Sequence, residues 1–188
     1  MGSLLVSGII CEEQKEQKYT LQTNSLNFLY NIIFLGIPGG YFQIDLEGQY
    51  KINEIVNMSL TTGYLYRHYP NYEPHYYVNH FLLKPMFIFR LNKTGLKGFY
   101  LGIYSNMGLY TDTHMKQYGD KAVFLLGAGF DAGYKWIYKN GFTIQLSTGF
   151  GKTLCFPEAN YYPTSPDLRF LGNYGDLQII NLKLGYSF

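Results

Sequence analysis

No apolar run in the chain reaches the roughly 20 residues that a membrane-spanning helix requires, so a helical membrane protein is excluded. Charge is scarce as well. Only 15% of the 188 residues are Asp, Glu, Lys or Arg, and the formal net charge of +2 gives no argument for a nucleic-acid partner. Two cysteines, Cys11 and Cys155, say little about redox compartment and are expected as two free thiols. His68, His75, His80 and His114 are scattered without metal-ligand spacing, so no metal site is expected. Gly127-Ala128-Gly129 precedes no helical pattern, which removes a dinucleotide fingerprint, and no cofactor is expected.

What is abundant is aromatic and glycine: 20 Tyr, 14 Phe and 21 Gly, more aromatic than an ordinary globular core uses. These residues follow a period of two. In the segment 41–51, Phe42, Ile44, Leu46, Gly48 and Tyr50 alternate with Gln43, Asp45, Glu47, Gln49 and Lys51. A strand puts those two sets on opposite faces, and a helix cannot. The same alternation predicts strands at 25–34, 40–51, 55–69, 78–91, 98–110, 122–138, 142–152 and 176–188. Residues 1–23 read as a lead-in, with an apolar start that resembles a signal remnant, and 24–188 as one barrel domain. Cys11 follows the apolar stretch as in a lipobox, although Ile10 stands where a small residue is expected.

The links alternate too. Those near 51–54, 92–97 and 139–141 are short, and Asn140-Gly141 is a strong hairpin signal. Those at 70–77, 111–121 and 153–175 are long, and only the first link, near Gly36 to Gly39, breaks the trend. Short turns at one end and long loops at the other describe an up-and-down antiparallel barrel of eight strands crossing a membrane.

Alternation does not say which face is inside. A lipocalin-like barrel would turn its apolar face inward, but an eight-stranded interior is only just wide enough to be filled by side chains. The large apolar residues are too many for it. The opposite face carries Gly63, Gly102, Gly108, Gly127, Gly129, Gly133, Gly149, Gly151 and Gly185 among polar groups, so that face is read as the lumen. A two-sheet sandwich, which holds more apolar bulk, stays open as an alternative. Aromatics on the apolar face fall at two levels. Tyr50, Phe89, Phe99, Trp136, Tyr138, Phe142, Tyr186 and Phe188 lie near the short turns, and Phe42, Tyr66, Phe81, Phe124 and Phe150 near the long loops. Two membrane–water interfaces select such belts.

The segment 181–188 ends in alternating Leu182, Leu184, Tyr186 and Phe188. It resembles the C-terminal assembly signal of bacterial outer-membrane proteins, and the region from residue 24 onward resembles the small barrels of the OmpA transmembrane domain and OmpW type. The texture of 23–30 and 127–135 is similar to uncharacterised small barrels of Bacteroidetes and spirochaetes. The resemblance implies an outer-membrane location, lipid as the surrounding partner, recognition by the barrel-assembly machinery, periplasmic termini and extracellular loops.

Charges expected in the lumen are Asp45, Glu47, Arg67, Lys84, Arg90, Asp131, Lys135 and Lys183, arranged as an ion-pair network because lone buried charges are costly. The functional expectation is a non-enzymatic barrel that anchors surface loops, with the Tyr/Pro-rich segments 70–77 and 160–166 available to a surface ligand. One alternative is a narrow channel for small or hydrophobic solutes. Another is a lipid-modifying enzyme, which would need a nucleophile and base such as Ser105 or Thr111 with His68 or His80.

Overall fold

The computed structural model describes residues 17–24, 41–69, 76–93, 95–112, 122–156 and 177–188. Within them the chain forms eight strands: β1 (Tyr19–Asn24), β2 (Tyr41–Lys51), β3 (Val56–Tyr69), β4 (Tyr76–Arg90), β5 (Gly98–Asp112), β6 (Val123–Ile137), β7 (Phe142–Phe156) and β8 (Leu177–Ser187). Each pairs antiparallel with its neighbour in sequence, and β1 pairs with β8, which closes an up-and-down barrel. Closure pairs β1 with both β2 and β8, so the described strands form one continuous sheet. The sandwich is thereby excluded.

Two differences from the sequence reading are instructive. The first described strand lies at Tyr19–Asn24, inside the stretch assigned to the lead-in, so the barrel begins before residue 24. Its alternation is carried by Tyr19, Leu21 and Thr23 against Thr20, Gln22 and Asn24, a pattern too polar to stand out beside the charged residues preceding it. The strand expected at 25–34 lies outside the described residues. Strands β4, β5 and β7 also run further toward the long-loop end than expected, β7 by four residues past Lys152. A lysine there looked like a strand end, yet Leu154 and Phe156 continue the outward row.

The short turns are built as their residues dictate. Gly141 has φ of 86°, in the left-handed region, and Asn140 Oδ1 accepts a hydrogen bond from the Phe142 amide at 3.1 Å. Asn53 Oδ1 accepts from the amides of Ile55 and Val56 at 2.8 and 2.7 Å, fixing the β2–β3 turn. Pro85 sits within β4, where the β4–β5 ladder runs to Leu83↔Met107 and resumes at Met86↔Tyr104. Proline has no amide hydrogen to give, so the gap falls there.

Face parity follows the polar-and-glycine reading of the lumen. Phe42, Ile44, Leu46, Leu60, Phe87, Leu101, Ile103, Phe130, Leu146 and Ile180 are exposed on the outer surface, while Gln43, Asp45, Glu47, Gln49, Thr61, Gln145 and Asn181 are buried inside. At the short-turn end the outer aromatics touch one another: Tyr19–Tyr50 at 5.2 Å, Phe99–Tyr134 at 4.6 Å and Tyr134–Trp136 at 4.5 Å between ring centroids.

The lumen is not purely polar, however. Met86, Ile88, Tyr100 and Tyr104 form a buried apolar cluster on β4 and β5, and Leu65, Val78 and Leu82 another nearer the long loops. Glycines make room for them. A Cβ on Gly102 would stand 2.6 Å from Met86 Sδ, and one on Gly129 only 2.4 Å from the Tyr104 hydroxyl. Large and small residues interlock across the wall.

Candidate functional site

The residues that carry chemistry converge inside the barrel. Asp45, Glu47, Lys84, Arg90, Asp131, Lys135 and Lys183 are all buried there, none more than 2% exposed. Strand parity puts them inward, because each shares a face with the buried polar residues of its own strand. Arg67 belongs to β3 and stands opposite Tyr41 and Val78 in the ladders; its side chain lies outside the described part.

One ion pair links β8 to β2 past the intervening β1: Lys183 Nζ donates to Glu47 Oε2. From it a chain of hydrogen bonds spreads to both sides. Gln49 donates to Glu47 Oε1 at 2.8 Å and accepts from Lys135 Nζ at 2.7 Å. Lys135 also donates to Thr20 Oγ1 at 2.8 Å, and Thr20 shares a 2.6 Å hydrogen bond with Ser187. On the other side Gln145 accepts from Gln22 at 3.0 Å and from Gln49 at 3.1 Å, then donates to the Tyr100 hydroxyl at 2.7 Å. Tyr100 donates to Asp131 Oδ1 at 2.6 Å, and Ser147 donates to Asp131 Oδ2 at 3.3 Å. The connected set draws on β1, β2, β5, β6, β7 and β8. Such a network ties strands distant in sequence to one geometry, since each buried group needs its partner.

Two cations are handled differently. Lys84 Nζ lies 3.8 Å from the centroid of the Tyr104 ring, and the Arg90 guanidinium 4.9 Å from that of Tyr100. Arg90 donates once, to the Gly98 carbonyl at 3.0 Å, while Lys84 Nζ makes no hydrogen bond. Ring faces supply the compensating negative potential for both. Of the charges expected to pair, Lys183 and Glu47 form a buried ion pair embedded in neutral amides and hydroxyls, and Lys84 and Arg90 lie on tyrosine rings. Sequence reasoning missed Gln22, Gln49, Gln145, Tyr100 and Tyr104. The clue to the tyrosines was available: glycines stand opposite them on β6, and a large inward ring needs that space.

The imagined catalytic pairs do not form around His80. It points inward against Tyr110, ring centroids 6.2 Å apart, whereas Ser105 and Thr111 lie on the outward row of β5. The barrel wall separates base from nucleophile. His75 and His114 lie outside the described residues, as does the side chain of His68. No three His, Cys, Asp or Glu side chains gather at metal-ligating distance among the described residues. At the short-turn end a depression of about 700 Å³ is lined in part by Lys51, Glu54, Lys97, Lys139 and Ser187, a member of the network. Leu182, Leu184, Tyr186 and Phe188 share the outward face of β8 and the residue after it, Tyr186 and Phe188 more than half exposed. No family model matches the chain, and no curated protein or solved structure is similar enough to count as a relative.

Proposed function

We propose that the chain is a non-enzymatic integral β-barrel of a bacterial outer membrane, of the OmpA transmembrane-domain and OmpW kind, whose barrel anchors surface loops. One observation carries this reading: a row of exposed large apolar side chains runs along the outer face of every described strand, around a lumen packed with buried side chains, most of them polar. Soluble monomers rarely expose apolar patches beyond a few hundred Å². Here the patch encircles the molecule, and a hydrocarbon surround removes the penalty. On this reading the short turns face the periplasm, the long loops face outward as a surface for a host or partner ligand, and Leu182, Leu184, Tyr186 and Phe188 address the barrel-assembly machinery.

The filled lumen favours anchoring over conduction. Steady current in a planar bilayer that changes when Asp45 or Lys84 is neutralised would replace the anchoring role with a channel. The membrane reading itself is tested by cysteine scanning. Thiols at 81, 83, 87 and 89 should react with a lipid-soluble reagent, and those at 80, 84 and 90 should not. A chain that remains monomeric and soluble without detergent would sink the proposal.

A further inference from the structure

Among the described strand residues whose side chains face outward, one is charged. Lys152 on β7 is exposed between Phe150 and Leu154, with Ala128 beside it in register and Ser105 next to Ala128 on β5. No described carboxylate pairs with it. On its short-turn side the rings of Phe130 and Phe150 meet at 5.5 Å. On the other side Leu126 and Leu154 are paired. A lysine in an apolar field is costly near the bilayer midplane and nearly free at the interface, where its stem lies along the protein and its ammonium reaches the headgroups.

The position fits the interface. Lys152 stands ten residues beyond Phe142, which begins β7 at the short-turn end. At about 3.3 Å per residue and a tilt near 40°, that distance rises about 25 Å, the height of the apolar band of such barrels. Ala128 and Ser105, in register beside Lys152, are small side chains, and the ring pair on its short-turn side offers an apolar wall to an acyl chain.

We propose that Lys152, with the Phe130–Phe150 ring pair, holds an anionic lipid, its phosphate on the ammonium and an acyl chain along the rings; this rests on the membrane reading above. The full chain is reconstituted in bilayers of phosphatidylcholine containing phosphatidylglycerol, released gently, and the retained lipid is counted by native mass spectrometry. Wild type and Lys152→Arg should retain phosphatidylglycerol several-fold more than Lys152→Gln, while Lys97→Gln, at a turn, should match wild type. Equal retention by wild type and Lys152→Gln, both inserted and heat-modifiable, would overturn the lipid site alone. So would an equal loss in Lys97→Gln, which would mean general charge attraction. Failure of every form to insert would overturn the membrane reading, and the lipid site with it.

Discussion

The two walls of the lumen solve the same problem by different means. The wall from β7 through β8 and β1 to β2 is polar, and there Thr20, Gln22, Glu47, Gln49, Gln145 and Lys183 compensate one another by hydrogen bonds. The wall of β4 and β5 presents Met86, Ile88, Tyr100 and Tyr104, interlocked with glycines and carrying two cations on tyrosine rings. The first wall depends on partners, since removing one strands another. The second depends on volume, so it should tolerate lost charge better than added bulk.

The comparison is broken most directly at its ion pair. Lys183→Met leaves Glu47 buried with Gln49 as its remaining hydrogen-bond donor, and removing one partner of a buried pair typically costs about 3–5 kcal/mol. The unfolding midpoint in detergent should fall accordingly. Combining it with Glu47→Leu should recover most of the loss, because two apolar groups replace two charges. A double variant as weak as the single one would show that the network acts through more than this pair.

On the other wall the sensitive change adds atoms. Gly129→Ala sets a Cβ within 2.4 Å of both the Tyr104 hydroxyl and the Phe150 carbonyl oxygen, and the carbonyl cannot swing aside. Overpacking of this kind costs about 1–3 kcal/mol. Lys84→Met, by contrast, removes an ammonium that makes no hydrogen bond. It forfeits a cation–ring contact worth about 1–2 kcal/mol and regains some desolvation. The midpoint should therefore move less for Lys84→Met than for Lys183→Met, as urea titration of the two variants in one detergent would show. A larger effect at Lys84 would make that wall as partner-dependent as the first.

Much of this was legible because strand parity is local. Within β2, the alternation of Gln43, Asp45, Glu47 and Gln49 with apolar residues assigns each to a face without knowledge of any other strand. Which lysine meets Glu47 is not local. Lys183 reaches it only because β8 closes on β1, which aligns β8 against β2 across a single intervening strand. In β4 the inward Leu82, Met86 and Ile88 are as apolar as their outward neighbours, so the alternation blurs and an apolar wall is hard to see. The start of β1 was hidden for the opposite reason, its outward row being short and half polar.

The smallest expected effect supplies the control for the largest. Lys51 and Glu54 form an ion pair at 2.5 Å in the β2–β3 turn, with the Glu54 side chain 55% exposed. Its charge types match those of the Lys183–Glu47 pair, but its carboxylate stands in water, while the Lys51 side chain is 9% exposed. Water already compensates Glu54, and salt screens what attraction remains, so an exposed pair of this kind is worth about 0–1 kcal/mol. The backbone of the turn is held separately, by Asn53 Oδ1 on the amides of Ile55 and Val56. Glu54→Gln should therefore leave the midpoint almost unchanged, and what shift it causes should vanish in high salt. The Lys183→Met loss should persist there, because ions do not enter a lumen filled with side chains. If the two variants respond to salt alike, water and ions reach Glu47, and the network would line an aqueous path rather than block one.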